Sequence, residues 1–354
     1  MNKKIKIDGI EILRFISAFA ILIWHYQHFN SPLNSEDLKA SQPFFNYFKI
    51  FYIHGYMGVN FFWCISGFIF FWKYADIIKK IKFYDFFISR FSRLYPLHIA
   101  TLIIVLLLQT IYFSINDNYF IVKNNDLYHF LLNLFMASNW GFEKGMSFNG
   151  VIWSISIEIL VYGLFFIILS LLNKNIFINI FVIIICLVFK ITYKHLVHGI
   201  VDCALFFFLG GCVVYFLNQK KNLTLIKISI LIILVLSYFF LNYFNLNTLN
   251  NVSYVIQIII YPILIFLSCG IHIYNKLASR IIRIMGNLTY SSYLLHFPLQ
   301  LCIMIYYSQI EREIPFYSNS FFIFYILTVL ISSFFVFKYF ENPCKKIIRN
   351  KFKV

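Results

Sequence analysis

Charge is scarce in this chain of 354 residues. Asp, Glu, Lys and Arg make up 12% of it, about half the roughly 25% of an ordinary soluble domain. That excludes a soluble globular protein, and 61% hydrophobic residues with 21% aromatics exclude a disordered one. The heptads of a coiled coil are missing. Cysteine pairs are missing too: Cys64, Cys186, Cys203, Cys212, Cys269, Cys302 and Cys344 stand singly, with no C-x-x-C. Buried free thiols are expected, with no disulfide framework and no zinc site. An all-α polytopic membrane protein remains.

Acidic residues are few as well, 14 against 30 basic ones, for a net charge of +16. A nucleic-acid footprint needs those cations gathered on a water-facing surface. Here they occupy short loops between apolar runs, so no nucleic-acid partner is expected, and the charge reads as membrane orientation. The basic start, with Lys3, Lys4 and Lys6 before the run Phe15 to Trp24, resembles a signal peptide. No small-x-small cleavage site follows and Arg14 interrupts the run, so a retained first helix is expected.

A spanning helix needs about 20 mostly apolar residues. That rule places spans near 9–29, 50–72, 96–115, 151–172, 176–193, 200–217, 225–244, 253–273, 285–307 and 320–340, a bundle of about ten. The apolar stretch Leu127 to Asn139 is too short to cross and reads as a surface or re-entrant helix. Counting it as an eleventh span would turn the clusters Lys220, Lys221, Lys227 and Lys276, Arg280, Arg283 outward, against the positive-inside rule. Ten spans with both termini cytoplasmic is the expectation. The membrane domain covers 1–345 and a basic tail 346–354, with no separate soluble domain and no convincing internal repeat.

Ionisable residues within a bilayer are costly, about 2.5–3.5 kcal/mol each on insertion scales, and so mark pathways or sites. Arg14 and His25 lie eleven residues apart, which returns them to nearly one face of the first helix with an axial offset of about 16 Å. A long, thin ligand entering from the cytoplasm would touch both. Arg14 also reads as a snorkelling anchor, and His25 as an interfacial ring beside Trp24 and His28. Arg90 and Arg93, three apart on an amphipathic lead-in, make a phosphate clamp or an anchor for anionic lipid heads. Pro96 fits the first turn of the span that follows.

Ser154, Glu158 and Tyr162 recur at four-residue spacing on one face. Glu158 could orient a histidine, receive a hydroxyl proton or close a structural ion pair. His296 follows the hydroxyl-rich run Thr289 to Tyr293 in the ninth span. Ser66 and Gly67 put small side chains in a bulky aromatic helix, where a neighbouring backbone or a narrow ligand can approach. His54, His98, His129 and His272 read as structural, and Asp202, His195 and His198 as solvated near a span end.

Taken in order, these segments resemble the acyltransferase type 3 family of integral membrane acyltransferases, many of which O-acetylate bacterial surface sugars. The signs are Leu13-Arg14-Phe15 followed by His25, Ile65-Ser-Gly-Phe68, Arg90-x-x-Arg93-Leu-Tyr-Pro96, Trp153-Ser154 with Glu158, Gly286 with Tyr293-Leu-Leu-His296, and Phe340-Glu-x-Pro343. Many members carry a contiguous Asp-Gly-Leu-Arg, whereas Asp8-Gly9 here stands well before Arg14, so no role is carried over to Asp8. Members often have Asp where this chain has Asn60, which therefore receives no charged role.

The resemblance implies acetyl-CoA (acyl-CoA) as donor and a carbohydrate acceptor, a lipid-linked or surface glycan such as O-antigen or capsule. The setting it implies is the bacterial cytoplasmic membrane, among membrane lipids. Some relatives bear a hydrolase-like domain after the bundle; this chain is expected to complete transfer within the bundle. Arg14, Arg90 and Arg93 would hold the donor's phosphates, with Ser66 and Gly67 beside its arm. His25 would be general base or acyl carrier, Glu158 its partner and His296 a further participant. A transporter or flippase of a lipid-linked glycan would place the same charges along a translocation path, and thioester-dependent transfer separates the two.

Overall fold

A computed structural model describes residues 8–30, 40–172, 174–192, 198–218 and 250–353. Its helices are α1 (Asp8–Tyr26), continued by a 3-10 turn (Gln27–Asn30), α2 (Phe45–His54), α3 (Gly58–Tyr74), α4 (Phe83–Asn116), α5 (Leu127–Leu134) and α6 (Trp153–Leu172). They continue as α7 (Ile176–Thr192), α8 (His198–Asn218), α9 (Asn250–Ser268), α10 (Lys276–Gln309) and α11 (Asn319–Val336). A π turn (Phe337–Glu341) then leads into α12 (Asn342–Phe352). No strand occurs among the described residues, in keeping with a medium in which only helices and closed barrels satisfy their backbones.

Among the described residues, seven helical stretches are long and apolar enough to cross a membrane: Asp8–Asn30, Phe45–Tyr74, Phe83–Asn116, Gly150–Leu172, Gly199–Leu217, Lys276–Gln309 and Asn319–Phe352. Shorter apolar helices cover Ile176–Lys190 and Ile256–Ser268, where two further spans are expected from sequence. The expected span 225–244 lies outside the described residues. The stretch after Asp126 forms the eight-residue α5, about 12 Å of helix. It ends at Leu134, short of the expected Asn139.

Pro96 departs from expectation. It lies inside the continuous 34-residue α4, which joins the amphipathic lead-in to the span without a break. The missing proline N–H leaves the Ser92 carbonyl without its helical donor. The cysteines also divide: Cys64, Cys186, Cys203 and Cys212 are buried, but Cys269 and Cys344 are half-buried and Cys302 is exposed, and none is in a disulfide.

The chain forms two compact units. The first comprises Met1–Arg14, Asn60–Lys80 and Val161–Arg283, the second Phe15–Val59, Ile81–Leu160 and Ile284–Val354. In the first, α3 and α8 cross at two glycines. A Cβ on Gly67 would run into the carbonyl of Phe207, and one on Gly210 into the carbonyl of Cys64. Lipid tails are as apolar as leucine, so close backbone approach and interhelical hydrogen bonds hold such helices together. Asn60 adds one of those bonds, donating to Gln257 at 2.8 Å.

Among the described residues, the second unit holds two aromatic clusters. One gathers Tyr26, Phe29, Tyr52, Phe316, Phe322 and Tyr325, with the Tyr26 hydroxyl donating to the Phe316 carbonyl at 2.6 Å. The other packs Leu102, Val105, Phe120, Phe148, Phe297 and Leu301. There the Gln109 amide donates to the Phe120 carbonyl at 2.9 Å and accepts from its N–H at 3.0 Å. Buried loop backbone is thus paired by one side chain.

Candidate active site

His25 ends α1 and His296 lies mid-way along α10, each one residue from a core aromatic: Tyr26 in the first cluster and Phe297 in the second. Packing of those aromatics brings the two imidazoles face to face, with centroids 4.7 Å apart and planes 24° from parallel. His28, on the 3-10 turn, brings a third ring 4.8 Å from His25. Trp24 meets His25 edge-on at 4.8 Å. His25 is 8% exposed, His296 1% and Gln300 not at all.

Gln300, one turn beyond His296, donates to the His25 carbonyl at 2.7 Å. That carbonyl lies in the last turn of α1, where intrahelical donors run out, so Gln300 fixes the end of the helix that presents the ring. The Nδ1 of His296 faces the Ser292 carbonyl at 3.2 Å. A carbonyl only accepts, so Nδ1 carries the proton in the neutral ring and Nε2 offers a lone pair. His296 Nε2 is buried without a hydrogen-bond partner among the described residues; His25 Nδ1, His28 Nδ1 and Gln300 Oε1 make no well-formed hydrogen bond there, His25 lying beside the Ile21 backbone and His28 beside the Gln300 side chain. An unpaired buried group costs about 1–3 kcal/mol, so His296 Nε2, ringed by weakly paired His25, His28 and Gln300, marks a spot poorly designed for stability and well prepared for a polar ligand. Their nitrogens do not form a metal-holding group; none is found among the described residues.

The polar lining continues along α10. The Tyr293 hydroxyl lies 2.8 Å from Ser154 Oγ and donates to the Val151 carbonyl at 2.9 Å. The Glu158 carboxylate, one turn beyond Ser154 on α6, acts electrostatically on the phenols of Tyr290 and Tyr293. Tyr290 donates to the Leu94 carbonyl on α4, and Ser291 to the Glu341 carboxylate, each at 2.5 Å. Arg93 bears on Tyr290 from α4. Arg90 Nε donates to Ser89 Oγ at 3.2 Å. The second unit therefore holds histidines, tyrosines, two carboxylates and arginines along one helix, α10, and its neighbours.

Five of the expected site residues, His25, His296, Glu158, Arg90 and Arg93, belong to this unit. Arg14, Ser66 and Gly67 belong to the other. Arg14 shares α1 with His25 and pairs with Glu11 at 2.7 Å. The space that Gly67 leaves is taken by the backbone of α8. Tyr162, on the face of Ser154 and Glu158, also falls in the first unit, stacked on Phe70 at 4.2 Å.

Four expected structural or minor residues find partners. His98 Nε2 meets the Asn133 carbonyl at 2.7 Å, and His129 Nδ1 meets Asp126 at 2.7 Å. Asp8 accepts from Ser279 at 3.0 Å and from Arg283 at 3.3 Å, with His272 at 3.8 Å. Asp202 pairs with Lys190 at 2.6 Å, so it is bound to a neighbouring helix rather than solvated. His195 lies outside the described residues.

Gln300 and the C-terminal cations escape sequence reading. The one local signal for Gln300 is an amide four residues after His296 in an apolar helix; His28 could be read only as a ring beside Trp24.

The profile of an acyltransferase domain matches residues 7–338. The chain belongs to the acyltransferase type 3 family. Within this acyltransferase family, it is similar to the O-acetyltransferase OatA of Staphylococcus aureus strains NCTC 8325, COL and MRSA252, at 23% identity over 387 aligned residues. The alignment covers 96% of this chain and 57% of each relative, so the chain spans little more than half the length of the curated relatives it matches. No solved structure gives a significant match.

Proposed function

We propose that this acyltransferase moves an acetyl group from acetyl-CoA to a hydroxyl of a cell-surface carbohydrate, with His25 as the general base. Family membership supports the reaction class. The observation that carries the site is the buried His25–His296 stack, in which His296 Nε2 has no hydrogen-bond partner among the described residues. The acetyl group and the glycan acceptor are taken from the O-acetyltransferase relatives. Both termini lie in the cytoplasm of a ten-span bundle on this reading, with donor arriving from that side and acceptor from the other.

In the reaction the acceptor oxygen attacks the thioester carbonyl carbon while His25 removes the hydroxyl proton. The tetrahedral intermediate collapses, the C–S bond breaks, and its electron pair leaves with the sulfur. The His25 imidazolium then returns the proton to give free CoA thiol and the O-acetyl ester. His296 braces the His25 ring face and Gln300 holds the His25 backbone, while Glu158 bears on the Tyr293 phenol, whose ring lies 5.9 Å from that of His296. Arg90 and Arg93 take the donor's phosphates through planar guanidinium forks. Arg14, eleven residues before His25 on α1, lies on the donor side of the same helix. Gly67 is assigned to packing.

The test is acetyl-CoA turnover by purified protein with a surface-glycan acceptor, beside His25→Ala. Turnover by the wild type, lost in a variant that still inserts and folds, is expected. Unchanged turnover in the variant would remove His25 from the chemistry. Folded wild-type protein that binds no acyl-CoA would return the chain to the transporter reading.

A further inference from the structure

The C-terminal helix α12 carries Lys345 and Arg349 one turn apart, so both project from one face. Arg349 is fixed against α4: its Nε donates to Ser92 Oγ at 3.3 Å and its Nη2 to the Ser89 carbonyl at 3.0 Å. Those two serines flank Arg90 and precede Arg93, so the helix brings its cations to the arginine pair. The charged groups acting on half-buried Lys345 are Arg93, Arg349, Arg90 and a single carboxylate, Glu341. Glu341 is itself engaged by Ser291. Four cations outnumber the neighbouring carboxylates, Glu341 and, beside Tyr290 with Arg93, Glu158; in partly desolvated surroundings they repel one another, and the repulsion grows as the effective dielectric falls. A bound polyanion would relieve it. Two bonds still leave Arg349 three of its five N–H donors.

We propose that Arg90, Arg93, Lys345 and Arg349 form one phosphate-binding site, of which the C-terminal helix supplies half. Guanidinium forks suit phosphate oxygens and the lysine adds a mobile point charge. The ligand chemistry is a phosphomonoester or diphosphate. On the acyltransferase reading its source is the nucleotide end of the donor; the other source of the same chemistry is an anionic lipid head. The site itself does not depend on that reading, because the probe below carries no thioester.

Adenosine 3′,5′-bisphosphate binding is measured on the full chain in nanodiscs of neutral phosphatidylcholine, for wild type, Lys345→Gln, Lys345→Arg and Lys351→Gln. Lys351 is an exposed cation of the same helix and serves as the charge control. Expected are a tenfold or greater rise in Kd for Lys345→Gln, recovery in Lys345→Arg, and no change for Lys351→Gln, with thermal melts alike. A parallel arm measures retention of phosphatidylglycerol by native mass spectrometry. Nucleotide binding that depends on Lys345 assigns the site to the donor; lipid retention that depends on Lys345 without nucleotide binding assigns it to the headgroup. If Lys345→Gln changes neither, or Lys351→Gln weakens binding equally, the site is refuted. Binding of the bisphosphate with no acetyl transfer by the wild type would overturn the proposed function and leave this site standing.

Discussion

The His25 and His296 rings stack at 4.7 Å although they lie 271 positions apart in the chain. Two buried imidazoles at that distance brace each other and cannot comfortably both be charged. A proton accepted by His25 is therefore a transient guest, as a general base requires.

Removing the base is expected to lower acetyl transfer by about 10²–10⁴-fold in His25→Ala, the usual range for general acid–base groups. Initial rates of CoA release, with a thermal melt as folding control, measure it.

His296→Phe keeps an aromatic face against His25 and loses Nε2. A tenfold or greater fall in kcat, at least about 1.4 kcal/mol of barrier, with little change in melting temperature, is expected if the lone pair matters. Unchanged kcat would reduce His296 to a packing ring.

Gln300→Leu removes the donor to the His25 carbonyl. The orphaned carbonyl costs about 1–3 kcal/mol, read as a lower melting temperature in detergent. Because the bond fixes the last turn of α1, kcat is expected to fall as well.

Gly67→Ala places a methyl group against the Phe207 carbonyl. Backbone cannot yield as a side-chain tip can, so destabilisation of about 1–3 kcal/mol is expected. A small-residue change at Gly163, where a Cβ meets nothing within 4 Å, is the contrasting measurement and leaves the melt unchanged.

The Asp126 carboxyl caps α5 by accepting from the His129 N–H at 2.9 Å. That bond first, and the His129 ring second, hold it below its usual value of 3.8. A depressed folded value stabilises the α5 start above the unfolded value and loses that help as pH falls through the folded one. Limited proteolysis of the 117–149 loop is expected to quicken on acidification below about pH 4. Asp126→Asn is expected to lose that pH dependence.

Helical class and most span positions were legible in the sequence, because bilayer thickness and the cost of intramembrane charge act on local composition. Arg14, His25, Glu158 and His296 stand out for that reason alone. The continuity of α4 through Pro96 was not legible, since neighbouring helices can support a proline that would end an isolated one. The pairing of His25 with His296, the clamp of Gln300 on the His25 carbonyl, and the meeting of Lys345 and Arg349 with Arg90 and Arg93 were not legible either. Each joins residues hundreds of positions apart, and no spacing rule reaches across a bundle. Composition set the medium and the elements; packing of aromatics and the pairing of buried polar groups decided which of those elements face one another.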